Sequence, residues 1–140
     1  MKATKLTTNF SLEELCFSPT AIRIGFNEQD EPSKESIENL MYLAGKVLEP
    51  IRKEFGKFSP TSAYRCEKLN LYIGSTNKSF HVIGCAADIN LGSWEKNRKL
   101  FEWIKANLLF TELINEFNFK WVHVAIQKGR EEEKKVKIIK

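Results

Sequence analysis

The sequence predicts an α+β fold in which a small, mostly antiparallel sheet packs against helices. Three observations favour this class. Two long stretches, near residues 33–55 and 93–109, carry apolar residues at helical spacing, and short β-prone runs lie outside them. Helices and strands do not alternate regularly along the chain, which argues against a doubly wound parallel sheet.

Capping residues and apolar spacing predict the helices of the first half. Ser11-Leu12-Glu13-Glu14 is a capping box that opens a short helix, which Pro19 should end. Residues 26–32 read as an exposed loop. The longest helix is predicted over residues 33–55, and Pro50 should kink or split it because proline removes one backbone hydrogen bond. Its predicted core face comprises Ile37, Leu40, Met41, Ala44, Val47, Leu48, Ile51 and Phe55.

The second half carries the predicted strands. A short helix is expected over residues 67–73 and a second long one over 93–109, the latter with a core face of Trp94, Leu100, Phe101, Ile104 and Leu108. Strands are predicted over residues 58–63, 86–90, 121–126 and 136–139. Alternation puts Val122, Val124 and Ile126 in the core, so His123 on the opposite face should line a cleft.

Length and charge exclude several classes. With 140 residues we expect a single domain over 1–140, with a core of about 10–126 and a basic tail over 128–140. The net charge is +4, but six cations and three anions fall in that tail, so we expect no nucleic-acid surface on the folded body. No apolar run approaches the ~18–20 residues that span a bilayer, so membrane insertion is not expected.

The three cysteines and the N-terminus point to a reducing compartment. Cys16, Cys66 and Cys85 are odd in number and lack CxxC spacing, which predicts buried free thiols. Residues 1–8 lack the apolar stretch of a signal peptide, so we expect synthesis in the cytoplasm.

The chain has only two histidines, and both lie in informative surroundings. Residues 79–90, Ser-Phe-His-Val-Ile-Gly-Cys-Ala-Ala-Asp-Ile-Asn, combine His81 with small residues and Asp88. His123 lies in the second segment, Trp121-Val-His123. Two histidines and one aspartate can form a three-ligand zinc set that leaves a fourth position for water. Zinc lowers the pKa of that water to ~7. Cys85 as a fourth ligand would close the site, but period two puts it on the strand face opposite Asp88.

These motifs resemble the zinc D-Ala-D-Ala carboxypeptidase family. Ser79-x-His81-x-x-Gly84-x-Ala86-x-Asp88 and Trp121-x-His123 are similar to its signature, and Ser62-Ala-Tyr64-Arg65 to its Ser-x-Tyr-Arg segment. The family includes D,D-dipeptidases and phage L-alanyl-D-glutamate endopeptidases, and it shares its fold with the hedgehog signalling domain. The resemblance spans about residues 10–126, and segments 10–15 and 47–52 resemble the small phage-associated branch.

The resemblance implies roles for individual residues. His81, Asp88 and His123 would bind one catalytic Zn²⁺, and Arg65 would bind a substrate carboxylate through its guanidinium fork. The other predicted substrate contacts are Ser62, Tyr64, Ser79 and Trp121. Much of the family has its general base five residues before the last histidine, where this chain has Asn118. We therefore predict Glu116 as the base, with Glu112 as second candidate.

The resulting prediction is a zinc peptidase acting on the peptidoglycan stem peptide, either as a D,D-carboxypeptidase or as an L,D-endopeptidase. We expect a monomer that reaches the cell wall after release, as a phage lysis enzyme does, or as part of a virion. The altered glutamate spacing keeps a second hypothesis open: a non-catalytic zinc module that binds the wall or serves in a virion. A third hypothesis is a metal-dependent hydrolase of another small peptide or amide.

Overall fold

The computed structural model describes residues 4–76 and 78–140. They form an α+β fold, as predicted, in which helices pack on one four-stranded sheet. The helices are α1 Leu12–Cys16, α2 Pro19–Ile24, α3 Lys34–Leu43, α4 Glu49–Phe55, α5 Glu67–Tyr72 and α6 Trp94–Asn107. The strands are β1 Ala86–Ile89, β2 Glu112–Glu116, β3 Trp121–Ala125 and β4 Lys135–Ile139.

The sheet is mostly antiparallel and has the order β1-β3-β2-β4. Strand β3 pairs antiparallel with both β1 and β2, and β4 joins β2 in parallel. The register places Asp88, His123, Ile114 and Lys137 in one row across the four strands. On the outer side of β1, Ser62 forms an antiparallel bridge with Asp88.

The two faces of the sheet differ in chemistry, as the alternation in β3 predicts. Val122 and Val124 are fully buried in the core, together with Ile89 of β1 and Leu113 of β2. The core lies between this apolar face and the helices. Because side chains alternate along a strand, Asp88 and His123 lie on the other face, which carries the polar chemistry.

Pro50 divides the predicted long helix into parts. Helix α3 ends at Leu43, a π-helical segment follows over Ala44–Leu48, and α4 then begins at Glu49. Proline has no N–H and crowds the preceding turn, so a regular α-helical ladder cannot pass through it. The predicted core face is confirmed for Leu40, Ala44, Val47, Leu48 and Ile51, all fully buried. It was wrong for Met41, which is exposed at the margin of the stripe.

Helix α6 confirms the second long helix but corrects one residue of its core face. Leu100, Phe101 and Ile104 are buried, whereas Trp94 is exposed. Trp94 is the first residue of the helix, where its ring meets Phe119 edge-on and its indole N–H donates to Asn118 Oδ1. Helical spacing identifies the core face of a helix but not how far the core extends along it, so the pattern misplaced this first-turn residue.

Three local predictions were wrong or incomplete. Residues 58–63 form no strand apart from the bridge at Ser62. Strand β2 was not predicted, because Glu-Leu-Ile-Asn-Glu lacks the β-branched alternation that identifies a strand. The exposed loop over 26–32 contains a 3-10 turn, Asn27–Asp30, whose Gln29 is buried. The Gln29 amide bonds Cys16 O, Tyr64 O and Cys66 N, which ties the N-terminal helices to the segment carrying Arg65.

The cap of α1, the positions of α5 and β4, and the state of the cysteines agree with the predictions. Ser11 caps α1, and its hydroxyl accepts from Glu14 N at 3.1 Å, while α5 and β4 lie where predicted. The three cysteines are buried free thiols. Burial raises the pKa of Cys16 to about 12 and that of Cys85 to about 11. Among the described residues, no helix is both long and apolar enough to cross a membrane.

Gly84 provides a test of the packing between α3 and the segment that carries His81. Its φ is +78°, and a Cβ there would lie 2.6 Å from the Ser36 carbonyl oxygen. Gly84→Ala should lower the free energy of unfolding by about 2–4 kcal/mol, since left-handed strain adds to a clash with backbone. Gly92→Ala is the control, because Gly92 has φ +102° and open space around it. Its cost should be only the strain, about 1 kcal/mol. Equal urea midpoints for the two variants would contradict this packing.

Candidate metal centre and active site

Three side chains from separate parts of the chain converge on the polar face of the sheet. Asp88 comes from β1 and His123 from β3, where the two residues lie opposite each other. His81 comes from the turn that precedes β1. One potential ligand atom from each residue lies within 4.8 Å of the other two, and all three residues are buried. The structure therefore brings together the three residues that were predicted to bind a metal.

Hydrogen bonds fix the orientation of each ring. Asp88 Oδ1 lies 3.3 Å from His81 Nε2 and 3.1 Å from His123 Nδ1. On its far side, His81 Nδ1 donates to the Ala63 carbonyl oxygen at 2.6 Å. This bond turns the Nε2 atom of His81 toward Asp88. The histidine rings meet edge-on, with centroids 5.1 Å apart.

The charges of the cluster reinforce one another. Burial alone would raise the pKa of Asp88, but the His81 and His123 imidazoles hold it well below its usual range. Burial opposes a charge on His123, yet its hydrogen bonds to Asp88 and Glu112 raise its pKa to about 9. A metal ion and a proton would compete for the same nitrogen lone pair on His123.

Arg65 is hydrogen-bonded to Asp88, one of the three clustered residues. Its Nη2 donates to Asp88 Oδ2 at 3.1 Å, its Nε to Ser62 Oγ at 3.1 Å, and its Nη1 to Asn70 Oδ1 at 3.2 Å. Asp88 thus has Oδ1 directed to the histidines and Oδ2 to Arg65. The guanidinium has five N–H groups, so one remains on each Nη after these three bonds. Arg65 also lines the cavity described below.

Glu116 lies at the end of β2, directly opposite Trp121 of β3. The Trp121 indole N–H donates to Glu116 Oε2. Burial and the negative charge of Asp88 raise the pKa of Glu116, and the indole bond offsets part of that rise. The turn between the strands holds Phe117, Asn118 and Phe119 at φ of 52°, 56° and 60°, a left-handed conformation that is uncommon outside glycine. This turn accounts for the longer spacing between Glu116 and His123, and it places Asn118 away from the cluster, against Trp94.

A small cavity of about 240 Å³ joins these groups. Its lining includes His81, His123, Glu116 and Arg65, together with Ser79 and Glu112. A larger cavity of about 600 Å³ lies between the N-terminal helices, around Phe17, Ile22 and Phe26, and contains none of the predicted metal ligands. The smaller cavity is the candidate active site, because the titratable side chains converge there.

The other predicted site residues lie at different distances from this cavity. The Ser79 hydroxyl accepts from the His81 backbone N–H at 3.2 Å, so it shapes the turn that carries His81. Ser62 binds Arg65 rather than lining the cavity. Tyr64 is buried in the core, where burial raises its pKa to about 12, and its predicted substrate contact stays a prediction. Cys85 is not one of the three clustered residues.

The sequence did not predict the hydrogen-bond partners that hold His81, His123 and Arg65 in place. Glu112, the second candidate for the base, bonds His123 Nε2 at 3.0 Å, on the side of the ring opposite Asp88. The hydrogen bond to His123 is the main reason that the pKa of Glu112 falls to about 2. Asn70 and the Ala63 carbonyl were also not predicted. The only available signal was their nearness to the Arg65 motif, and long-range pairing carries no local pattern.

The comparison with known families agrees with this geometry. The family model described as Peptidase M15 matches residues 8–125, which is most of the chain. The protein belongs to the peptidase M15 family, the zinc D-Ala-D-Ala carboxypeptidase-like metallopeptidases that the motifs resemble. No curated protein matches the sequence significantly. The phage-associated branch stays a prediction.

The donor set fits a zinc ion. Two imidazole nitrogens and one carboxylate oxygen are ligands that zinc prefers, and three protein ligands are typical of catalytic rather than structural zinc. Each histidine also has an oxygen acceptor for its second nitrogen, Ala63 O for His81 and Glu112 for His123. Such outer partners accompany most histidine ligands in metalloproteins.

The two histidines allow a direct test of the ligand set. His81→Ala and His123→Ala should each reduce zinc from about one ion per chain to near zero, because no third histidine can substitute. Zinc content would be measured by mass spectrometry after gel filtration, and circular dichroism would verify the fold. Cys85→Ser is the control and should keep its zinc. Full zinc content in both histidine variants would exclude this site.

Proposed function

We propose that this protein is a zinc-dependent peptidase that hydrolyses a peptide bond in the stem peptide of peptidoglycan. The observation that carries the proposal is the buried cluster of His81, Asp88 and His123, whose two histidines line one cavity together with Glu116. Membership of the peptidase M15 family supports the reaction class and suggests peptidoglycan as the substrate.

His81 Nε2, His123 Nδ1 and Asp88 Oδ1 would hold the metal, because these three atoms face one another. Zinc bound there would lower the pKa of a water molecule and polarise the scissile carbonyl group. Asp88 Oδ2 remains bonded to Arg65, so the carboxylate is oriented from both sides. Three ligand atoms suit a single catalytic ion and would leave one position for water.

Glu116 would be the general base. It would accept a proton from the attacking water and return that proton to the leaving amine. A raised pKa suits both halves of this task, since a weaker acid holds the proton better until the amine leaves. The Trp121 indole N–H binds one carboxyl oxygen, which orients the other. Trp121 would thus act on the base as well as on the substrate.

Arg65 would bind a carboxylate of the stem peptide. The N–H groups that remain on its two Nη atoms are enough for a bidentate pair. The D-glutamate side chain and the C-terminal carboxylate of the stem are both suitable partners, which correspond to L,D-endopeptidase and D,D-carboxypeptidase cleavage. Ser79, which lines the same cavity, would contact the adjacent peptide group.

The biological setting that we propose is wall degradation, as by a phage lysis enzyme or a virion-associated enzyme, and the chain would act as a monomer. A non-catalytic wall-binding module is the alternative. The position of Glu116 favours the enzyme, because a binding module would not need a carboxyl group of raised pKa beside the metal ligands.

Glu116→Gln is expected to abolish hydrolysis while the metal site remains. Stem-peptide release from purified peptidoglycan, followed by mass spectrometry, should fall by about 10²–10⁴-fold, because the amide cannot accept the proton. Glu102→Gln, on the exposed side of α6, is the matched control. Several wall chemotypes would be digested with zinc-loaded wild type and with chelator. If the wild type binds these walls tightly and releases nothing, the non-catalytic module is correct.

The carboxylate clamp can be tested with paired substrates. Wild type should cleave a stem peptide carrying free D-glutamate or a free C-terminus about 10- to 100-fold faster than the same peptide with that group amidated. In Arg65→Lys, which loses the bidentate fork, the difference between the two peptides should shrink. The comparison of kcat/KM values isolates the Arg65 contact from any general loss of activity. An undiminished difference in the variant would show that another residue reads the carboxylate.

A further inference from the structure

A chain of hydrogen bonds connects strand β4 to His123 and Asp88, two of the proposed metal ligands. Lys137 Nζ of β4 donates to Glu112 Oε2 at 3.0 Å, and Glu112 Oε1 lies 3.0 Å from His123 Nε2. The other nitrogen of the same ring, Nδ1, lies 3.1 Å from Asp88 Oδ1. The chain therefore runs through all four strands of the sheet, from β4 through β2 and β3 to β1.

The geometry of the His123 ring determines whether Glu112 could be a metal ligand or a hydrogen-bond acceptor. The lone-pair directions of Nδ1 and Nε2 point to nearly opposite sides of an imidazole, so a carboxylate on Nε2 cannot share a metal with Asp88. Glu112 instead accepts a hydrogen bond from the His123 Nε2–H, which leaves the Nδ1 lone pair free for a metal. The Ala63 carbonyl does the same for His81 through the opposite nitrogen. The two histidines would thus bind one ion through different ring nitrogens.

The sheet places Glu112 and Lys137 on the same face as His123. Glu112 is the first residue of β2, and in the parallel register it lies opposite Lys135, with Lys137 two residues further along β4. The Glu112 side chain is 14% exposed and that of Lys137 is 53% exposed. A carboxylate so deeply placed needs partners for both oxygens, and Lys137 supplies the partner for the oxygen that His123 does not use. The neighbouring Lys135 amine binds Glu133 instead.

We propose that Glu112 and Lys137 are positioning residues of the metal centre, which hold His123 in the tautomer and orientation that present Nδ1 to the ion. Strand β4 lies outside the residues that match the family model. Lys137 would therefore be a contribution of the C-terminal segment to the site. The inference rests on the metal site of the proposed function, and it does not depend on which peptide bond is cleaved.

The test measures zinc affinity and the protonation of the His123 ring, not peptidase activity. Glu112→Ala should weaken zinc binding, measured by competition with a chelating dye, by about 10–100-fold. Glu112→Gln should lose less, because its amide oxygen can still accept a hydrogen bond from the His123 Nε2–H. Lys137→Ala should weaken binding by about two- to fivefold, as expected for an exposed ion pair, and Lys137→Arg should restore it. Wild-type affinity in Lys137→Ala would exclude Lys137 as a positioning residue. Lys135→Ala is the matched control on the same face of β4 and should bind zinc like the wild type.

Nitrogen-15 NMR of the imidazoles separates positioning from general structural support. With two histidines in the chain, the zinc-loaded wild type should show one ring protonated on Nδ1 and the other on Nε2. Glu112→Ala should lose or broaden the Nε2 proton signal of His123, while the metal-free melting temperature falls no further than in Glu112→Gln. Wild-type zinc affinity and an unchanged His123 signal in Glu112→Ala would overturn the inference. A wild-type chain that binds no zinc would instead overturn the proposed function, and this inference with it.

Discussion

The buried carboxylate of Asp88 is the constraint on which the rest of the site depends. A charge removed from water is costly unless several partners compensate for it, and leaving such a group unpaired costs about 3–5 kcal/mol. Here His81, His123 and Arg65 supply those partners. The backbone of Asp88 is bound as well, since its N–H donates to Ser62 O at 2.7 Å and its carbonyl accepts from Thr61 N at 2.9 Å. These bonds attach the segment that carries Arg65 to the edge of the sheet.

The same arrangement explains how a short chain can build a site of this complexity. One face of a four-stranded sheet is used for the core, and the other carries functional side chains from all four strands, namely Asp88, Glu112, Glu116, His123 and Lys137. Each strand contributes a side chain at a fixed separation, so the register of the sheet sets the distances in the site. The loops add His81 and Arg65 from the side of β1, and both are held by backbone or core contacts rather than by solvent-exposed side chains.

Sequence reasoning predicted the features that depend on local pattern. The helix caps, the division at Pro50 and the two faces of β3 follow from spacing within a few residues, and the family resemblance supplied the ligand set. It failed where tertiary contacts decide. Glu-Leu-Ile-Asn-Glu becomes β2 only because strands pair with it on both sides. Gln29 is buried because three backbone groups need its amide, and Trp94 is exposed because the helix begins there. The role of Glu112 depends on a ring that lies eleven residues away.

The proposed function depends on a metal ion binding to His81, Asp88 and His123. The most direct measurement is a crystal structure of the zinc-loaded protein with diffraction data collected on either side of the zinc absorption edge. We expect one strong anomalous peak, in contact with His81 Nε2, His123 Nδ1 and Asp88, and a Glu116 carboxyl oxygen within reach of a water molecule at that peak. A peak at another position, or none at full zinc loading, would contradict it.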